Sequence, residues 1–466
     1  MRIVTLELAG LRGFAAPETI HFASPSGLAG SGLTILIGPN NGGKSTIVEA
    51  FRALASNHDE SFTEGKRNKE AGGRVSIVAT FDGGQRRGLQ TVEMGGSETV
   101  RLTTTPGEVY PTLYVLPSRR YFNPYFGRGT LERQSYAENI RFPQSRGAAL
   151  DQFSGRLFRA LQKRPDFDRV LQRVLDPVPD WTIDQSDSGQ YYLKFDAGGQ
   201  YHTSDGLGEG IVSLFFIVDA LYDSLDSEII VIDEPELSLH PALQRRLASL
   251  LADYAKDRQI VYATHSPYFV DFTHVMNGAE VTRVHKPGAS CKVSQLRRST
   301  AAALTGFLTN INNPHILGLD AREAFFVEDG IVLVEGQEDV ILYSRILETL
   351  GLDLASRFFG WGVGGVDNLA SIAALLCDLG FTRVCGILDA NKADRIPQLR
   401  TTFPAFHFAA IPAVDVRTKP ARPAMLATHG LLNENGQLRP EFEESVRRIF
   451  TEVQDYLAPV TLGPNQ

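Results

Sequence analysis

The chain has 466 residues, of which 43% are hydrophobic and 21% are charged, and its formal net charge is −8. This length suits two or three domains, and the composition excludes a disordered or fibrous protein. The three cysteines are scattered, which excludes a disulfide framework and a zinc site. The N-terminus lacks signal-peptide features, and the longest apolar run (211–218) is too short to span a bilayer. We therefore expect a cytoplasmic protein without membrane contact.

The first half of the chain alternates predicted strands with predicted helices. Apolar alternation predicts a strand at 4–8, and apolar runs predict further strands at 33–38, 74–81, 112–116, 228–233 and 259–264. Helical spacing of apolar residues appears at 45–55 and again at Leu243, Leu247, Leu250, Leu251 and Tyr254. Strand–helix–strand alternation implies a mostly parallel sheet with helical crossovers, so the predicted fold class is α/β.

A basic segment interrupts this alternation. Residues 125–200 are predicted to be a helical, basic insertion, with the clearest helical pattern at 130–175. From Arg119 to Arg173 there are twelve Lys or Arg and five Asp or Glu, a local charge of +7, with aromatic residues between them. Such a segment can contact nucleic acid. The alternative is a set of solvated helix faces over core aromatics.

A second strand–helix unit follows a helical connector at 295–327. A strand is predicted at 331–336, then a helix at 340–350, a glycine-rich turn at 360–368, a helix at 369–380 and a strand at 383–391. The predicted domain boundary lies near residue 325, which gives domains at 1–325 and 326–466.

A phosphate-binding motif lies between the strand at 33–38 and the helix at 45–55. GPNNGGKST, residues 38–46, fits GxxxxGK[ST]. Its glycines let backbone N–H groups surround phosphates, Lys44 reaches the β- and γ-phosphates, and the Ser45 hydroxyl reaches Mg²⁺. The candidate nucleotide-binding residues are Gly38, Asn40, Asn41, Gly42, Gly43, Lys44, Ser45 and Thr46.

Two later strand ends supply what this motif needs for hydrolysis. In IIVIDEPELSLHP (229–241), Asp233 can hold Mg²⁺ through water, and Glu234 can polarise the attacking water. In ATHSP (263–267), His265 can sense the γ-phosphate. A lone histidine is more often structural, but the order of the three motifs favours the catalytic interpretation.

Carboxylates gather at strand ends in the second half. Glu335 ends one predicted strand, Asp339 lies four residues later, and Asp389 ends another strand. If these strands are parallel neighbours, their carboxyl ends meet in the crevice where α/β folds place their sites. Oxygen ligands suit Mg²⁺ or Mn²⁺, which can serve phosphodiester cleavage. The alternative is a solvated strand end or a decayed nucleotide-binding fold.

The motifs of residues 1 to about 280 resemble the ABC-type ATPase head of the SMC, RecF and OLD ("overcoming lysogenization defect") group. The resemblance implies ATP sandwiched between two heads, hence a homodimer or a larger homo-oligomer. It also implies a signature loop that reaches the partner's ATP. The candidate is TSDGLGEG (203–210), with Ser204 and Gly206, although it departs from LSGGQ. Alternatively, residues 118–120 (SRR) supply a cation to the nucleotide.

The second half resembles a Toprim domain, which has a Rossmann-like fold. VLVEGQEDV and GILDANKAD match its two acidic strand ends through Glu335, Asp339 and Asp389. Asn391, a neutral oxygen ligand, stands where the second Asp of the later strand is expected. OLD-type Toprim domains resemble this chain in having a late acid and a basic residue, for which Asp415 is a further metal-ligand candidate, with Lys419 beside it.

An ABC-type head followed by a Toprim domain is the organisation of the OLD-family nucleases, which include the nuclease subunit of the Gabija anti-phage system. The resemblance implies an ATP-regulated, metal-dependent DNA endonuclease of bacterial anti-phage defence. It also implies a dimerisation insertion, for which residues 125–200 are the candidate. Its cofactors would be ATP and Mg²⁺, with Mn²⁺ as a substitute at the Toprim site. The alternative is an ATP-driven sensor or scaffold with a degenerate Toprim domain, which recruits a partner protein from a neighbouring gene. Asn391 keeps that alternative open.

Overall fold

The computed structural model describes residues 1–58, 60–63, 65–103, 107, 109–140, 150, 152–197, 199–204, 208–309, 315–327, 330–354, 357–421 and 427–458. The strands are β1 (Ile3–Ala9), β2 (Glu18–His21), β3 (Leu33–Ile37), β4 (Ser76–Phe81), β5 (Arg86–Thr91), β6 (Thr99–Thr103), β7 (Leu113–Leu116), β8 (Tyr125–Phe126), β9 (Asp180–Gln185), β10 (Tyr191–Ala197), β11 (Gln200–Thr203), β12 (Ile229–Asp233), β13 (Gln259–Ala263), β14 (Glu280–His285), β15 (Lys292–Gln295), β16 (Ile331–Leu333), β17 (Arg357–Phe358), β18 (Val384–Leu388) and β19 (His407–Ala410). The helices are α1 (Lys44–Ala55), α2 (Arg133–Asn139), α3 (Phe153–Gln162), α4 (Arg164–Gln172), α5 (Glu209–Tyr222), α6 (Pro241–Tyr254), α7 (Phe272–Met276), α8 (Arg298–Ala303), α9 (Thr305–Thr309), α10 (Leu319–Glu323), α11 (Gln337–Leu350), α12 (Val366–Asp378), α13 (Ile396–Thr402) and α14 (Pro440–Leu457).

The chain divides into two compact units, Met1–Val293 and Ser294–Gln466. The boundary therefore lies earlier than the predicted one near residue 325. The reason is that the helical connector packs within the second unit. Its helix α8 contacts α12, and the Arg297 guanidinium pairs with the Asp378 carboxylate.

The first unit contains a central six-stranded sheet with the order β15–β14–β3–β13–β12–β7. The strands from β14 to β7 pair in parallel. Every residue of β3, β12 and β13 is buried, as expected for parallel strands covered on both faces. Since the carboxyl ends of these three strands share one edge, the loops that follow them meet there. The predicted α/β class is confirmed.

The first unit also contains a five-stranded antiparallel sheet with the order β2–β1–β4–β5–β6. The predicted strand at 4–8 is present as β1, with Leu6 and Leu8 buried. Val4 was expected on the same face, but its side chain is 40% exposed. The register of β1 against β4 shifts between Ile3 and Thr5, and this irregularity turns Val4 outward.

The insertion at 125–200 is only partly helical, which corrects the prediction. Helices α2, α3 and α4 lie between β8 and β9 in the chain, and β8, β9, β10 and β11 form an antiparallel sheet. In β9 and β10, the apolar residues Trp181, Ile183, Leu193 and Phe195 alternate with polar ones, a pattern that was missed. The interleaved aromatics are largely core, since Phe122, Phe126, Tyr136 and Phe153 are buried.

Internal ion pairs neutralise much of the positive charge in the insertion. Arg133 and Arg156 are buried, and they bind acids at the C-terminal end of α5 and shortly after it. Arg156 Nε lies 3.2 and 3.1 Å from the two oxygens of Asp219, which also accepts a 2.6 Å bond from the Tyr114 hydroxyl. These contacts favour a structural role over nucleic-acid contact for these two arginines.

The second unit is built on a parallel sheet ordered β17–β16–β18–β19. The strands that precede Glu335 and Asp389 are parallel neighbours, because β16 pairs with β18. The condition under which their carboxyl ends meet is therefore fulfilled. Apolar residues of α11 and α14 form one core cluster with the sheet, and α12 also contacts β18. Helix α14 was not predicted. Within the residues described above, no helix is long and apolar enough to cross a membrane.

The buried network around Asp219 yields a stability prediction. Asp219→Ala leaves the Arg156 charge buried without its main partner, so it should lower the free energy of unfolding by about 3–5 kcal/mol. Arg169→Ala breaks the exposed pair with Asp166 and should change it by less than about 0.5 kcal/mol. Urea denaturation followed by circular dichroism compares the two. Equal, small effects would contradict the structural role of this network.

Candidate functional site

The nucleotide motif forms a loop between β3 and α1. Helix α1 begins at Lys44, and its N-cap residue, Gly43, offers no side-chain cap. The free N–H groups of a helix start attract phosphate. The Lys44 ammonium folds back on the loop and donates to the carbonyl oxygens of Gly38 and Pro39 at 2.8 and 2.9 Å. Burial lowers the pKa of Lys44 to about 8, against the opposing effect of Asp233 and other nearby acids.

Two glycines of the loop are required by a close backbone approach. A Cβ atom at Gly38 would lie 2.2 Å from the carbonyl oxygen of Val284, and one at Gly42 would lie 2.4 Å from the same atom. Gly38 also has a φ of 132°, which side-chain-bearing residues rarely adopt. The backbone of Asn41 also lies in the left-handed region, with a φ of 60°. Asn40, Asn41 and Ser45 are exposed, whereas Thr46 is buried.

Asp233 and Ser45 lie together at the edge of the sheet. Burial, followed by the nearby Glu234, raises the pKa of Asp233 to about 6, against the opposing effect of the Ser45 hydroxyl. Asp233 Oδ1 is buried and, within the described part of the chain, has no hydrogen-bond partner. A serine hydroxyl beside an unpartnered carboxylate oxygen fits a hard divalent cation such as Mg²⁺.

Glu234 and His265 approach each other beside Asp233. Glu234 Oε1 lies 4.0 Å from His265 Nε2, and both side chains are 31% exposed. Burial, and secondarily Lys44, lowers the pKa of His265 to about 4, so its imidazole is neutral at pH 7. The structure therefore brings together Lys44, Ser45, Asp233, Glu234 and His265, as the order of motifs predicted.

Glu236 belongs to this constellation and was missed. Its Oε1 accepts a 2.6 Å bond from the backbone N–H of His265. Burial raises its pKa to about 7, and its Oε2 is buried without a partner among the described residues. The available signal was the third acid of DEPE, which lies three residues after Asp233.

The candidate signature loop is only partly described. Ser204 is buried, and its hydroxyl has no hydrogen-bond partner among the described residues. Gly206 lies outside the described residues. Arg120, considered above as a cation for the nucleotide, is buried and donates to protein oxygens instead. Its guanidinium is therefore committed to internal contacts.

In the second unit, five carboxylates line one open cleft of about 510 Å³: Glu335, Glu338, Asp339, Asp389 and Asp415. Glu335 and Asp389 follow the adjacent strands β16 and β18. The backbone N–H of Asp389 points to Glu335 Oε1 at 3.5 Å, and that of Gly336 donates to Asp339 Oδ2 at 2.8 Å. Asp415 lies in the segment after β19. At the start of that segment, the Ile411 N–H donates to the carbonyl oxygen of Leu388, which extends the pairing of β19 with β18.

The cleft concentrates negative charge. Burial, followed by repulsion from Glu335, Asp339 and Asp415, raises the pKa of Asp389 to about 7. Burial and repulsion from Glu335 also raise the pKa of Asp339 to about 6, although the Gly336 N–H opposes the change. Carboxylates held together in this way favour a bound cation.

The donor set is all oxygen, which fits Mg²⁺ or Mn²⁺. The glycine-rich turn packs directly on this site: a Cβ atom at Gly362 would lie 2.8 Å from the Gly336 backbone. Within the described ranges, however, no three His, Cys, Asp or Glu side chains already stand close enough to hold an ion. A cation held by three of these carboxylates would therefore require the side chains to move closer together.

Asn391 does not join the residues that line the cleft in the described structure. It is exposed on a 3₁₀ turn (Ala390–Arg395), so its predicted role as a ligand lacks geometric support. His315, Gln337 and Glu338 line the cleft and were missed, because they lie outside the matched acidic positions.

Lys419 brings positive charge to the cleft. Its ammonium pairs closely with Asp415 and lies 3.8 Å from Glu338, so one cation already offsets part of the negative charge.

Family models match the first part of the chain. The model described as "AAA ATPase domain" matches residues 1–100, and "AAA domain, putative AbiEii toxin, Type IV TA system" matches 104–271. Together with the loop at 38–46, these matches define an AAA-class P-loop ATPase domain, which implies ATP binding.

Curated relatives extend the comparison. The chain is 33% identical to the OLD nuclease of Thermus scotoductus over 159 residues, which cover 32% of this chain and 29% of that protein. It is 25% identical to endonuclease GajA of Bacillus cereus over 197 residues, which cover 41% and 32%. The chain thus spans about a third of the length of these relatives. It is similar to OLD-family ATPase–nucleases.

A solved structure of an SMC head bound to the C-winged helix domain of ScpA also matches. The match covers 65% of this chain and 100% of that chain, with 14% identity and a TM-score of 0.43.

The P-loop geometry predicts that ATP binding depends on Lys44. Lys44→Ala removes the buried ammonium and should weaken ATP binding at least tenfold in isothermal titration calorimetry, about 1.4 kcal/mol or more. Lys256→Ala, which removes an exposed ammonium paired with Asp253, is the control and should bind like wild type. Unchanged affinity in Lys44→Ala would contradict the assignment of this loop.

Proposed function

We propose that the protein is an ATP-regulated, divalent-metal-dependent DNA endonuclease of bacterial anti-phage defence, whose second unit contains a Toprim-type nuclease domain. The observation that carries the proposal is the convergence of five carboxylates on one cleft at the carboxyl end of a parallel sheet. Similarity to an OLD nuclease and to endonuclease GajA supports the same activity.

The chemistry of the cleft suits phosphodiester cleavage. Glu335, Asp389 and Asp415 are the proposed metal ligands, and Asp339 is oriented by the Gly336 N–H. A divalent cation there would activate water and stabilise charge on the phosphate. Lys419 is paired with Asp415 and can turn its ammonium toward a phosphate oxygen when the carboxylates engage a cation.

The ATPase domain supplies the regulation. Lys44 and the start of α1 bind the phosphates, Ser45 and Asp233 hold Mg²⁺, and Glu234 orients the attacking water. His265, which is neutral at pH 7, is available to contact the γ-phosphate. By analogy with ABC-type heads, Ser204 and Gly206 would complete the site of a second copy, so the active form is a homodimer or a larger oligomer.

A second candidate is a sensor or scaffold ATPase that recruits a partner protein from a neighbouring gene. The exposed position of Asn391 favours it, because the cleft then lacks the ligand expected at the second Asp of the motif. In that case the carboxylates would be a vestige, and ATP would control association rather than cleavage.

Loss of Glu335 should separate the two candidates. Glu335→Ala removes a proposed metal ligand, so cleavage of plasmid and linear DNA in Mg²⁺ or Mn²⁺ should fall at least 100-fold while ATP binding is retained. Parallel reactions with and without ATP give the direction of the regulation.

Asp367→Ala is the matched control, because Asp367 is an exposed acid that pairs with Arg395 outside the cleft. It should cut DNA like wild type. Undiminished cleavage by Glu335→Ala would eliminate the site assignment. If the wild type cuts no DNA with either metal but associates with another protein only when ATP is present, the scaffold role replaces the nuclease.

Charge repulsion in the cleft predicts a stabilising substitution. Asp389→Asn removes one of the converging charges. Without metal at pH 8, it should therefore raise the free energy of unfolding, by up to about 1 kcal/mol because solvent screens the partly exposed Asp389. Added Mn²⁺ should raise the melting temperature of wild type more than that of the variant. A variant less stable than wild type in EDTA would argue against the repulsion.

A further inference from the structure

Glu234 has an unusual backbone. Its φ is 47°, in the left-handed region that residues with a side chain rarely occupy. Its N–H donates to the carbonyl of Ala263 at 2.7 Å, which ties it to the end of β13 next to His265. A conformation of this kind persists only where surrounding contacts fix it. A second contact is therefore expected at the carbonyl group of Glu234.

Arg120 supplies that second restraint. Its Nη2 donates to the carbonyl oxygen of Glu234 at 2.9 Å, and its Nη1 donates to that of Asp233 at 2.8 Å and to that of Pro117 at 2.7 Å. The residue is 6% exposed. Burial lowers its pKa to about 10, so the guanidinium remains charged at neutral pH. One buried cation thus holds two successive peptide groups at the end of β12.

The same guanidinium also reaches helix α5. Its Nε donates to the Ser213 hydroxyl at 2.8 Å. Ser213 lies in the first half of α5, which begins at Glu209 directly after Gly208. Arg120 therefore connects the helix that follows the candidate signature loop with the backbone of Glu234.

We propose that Arg120 is a positioning residue for ATP hydrolysis, which fixes the left-handed backbone of Glu234 and links it to α5 through Ser213. This inference rests on the proposed ATPase function. Arg120 acts through Glu234 and not on the nucleotide, because its fork of donors is occupied by protein oxygens. Lysine cannot replace it, since a single ammonium cannot reproduce the planar fork that serves acceptors on three elements.

The test is steady-state ATP hydrolysis by the full chain. Arg120→Lys keeps the charge but loses the fork, so kcat should fall at least tenfold while KM and the affinity for ATP change less than about twofold. In a Glu234→Gln background the same substitution should have little further effect, because the group through which it acts is already removed. A merely structural role predicts independent, additive losses instead.

Two further variants keep the test decisive. Arg258→Lys changes another buried arginine, which binds Ser224 and Asp257 at the opposite end of β13, and should retain wild-type kcat despite any loss of stability. Ser213→Ala removes only the link to α5 and should lower kcat about threefold or more; it carries the test if Arg120→Lys does not fold.

The outcomes separate this inference from the proposed function. An active wild type together with unchanged kcat in Arg120→Lys, or in Ser213→Ala where only that variant folds, overturns the inference alone. A raised KM at constant kcat also overturns it, since Arg120 would then serve nucleotide binding. If the wild type binds ATP but does not hydrolyse it, the proposed ATPase function fails and the inference fails with it.

Discussion

The parallel pairing of strands is the constraint on which both candidate sites depend. Parallel strands end at the same edge of a sheet, so residues far apart in sequence meet there. In the first unit, β3, β12 and β13 bring together the P-loop, Asp233 with Glu234, and His265. In the second unit, β16 and β18 bring Glu335 beside Asp389. Each unit therefore gathers charge at one edge, which is unfavourable without a ligand or a counter-charge.

The two units meet this electrostatic demand differently. In the ATPase domain, the protein supplies its own cations: Lys44 lies on the P-loop carbonyls and Arg120 on the carbonyls of the acidic strand end. In the second unit, Lys419 offsets only part of the charge of five carboxylates, and the pKa of Asp389 remains raised to about 7. This contrast supports the proposal that the cleft binds a metal.

Local patterns in the sequence predicted much of this arrangement. Glycine spacing, apolar strands and their acidic ends located the P-loop, Asp233, Glu234 and the acids that follow β16 and β18, because these features are encoded by neighbouring residues. The sheet within the insertion, the earlier unit boundary and the outward Val4 were missed, because they depend on pairing between distant segments. The roles of Glu236 and Arg120 were missed for the same reason: only the fold shows which partners they contact.

The central claim is that the cleft of the second unit holds a divalent metal and that the same chain contains a functional ATPase domain. Anomalous diffraction from crystals soaked with Mn²⁺ and a non-hydrolysable ATP analogue tests it most directly. The account predicts manganese peaks at Ser45 and Asp233 and at least one further peak among Glu335, Asp389 and Asp415. Manganese only at the nucleotide, with an empty acidic cleft, would contradict the nuclease assignment and favour the scaffold role.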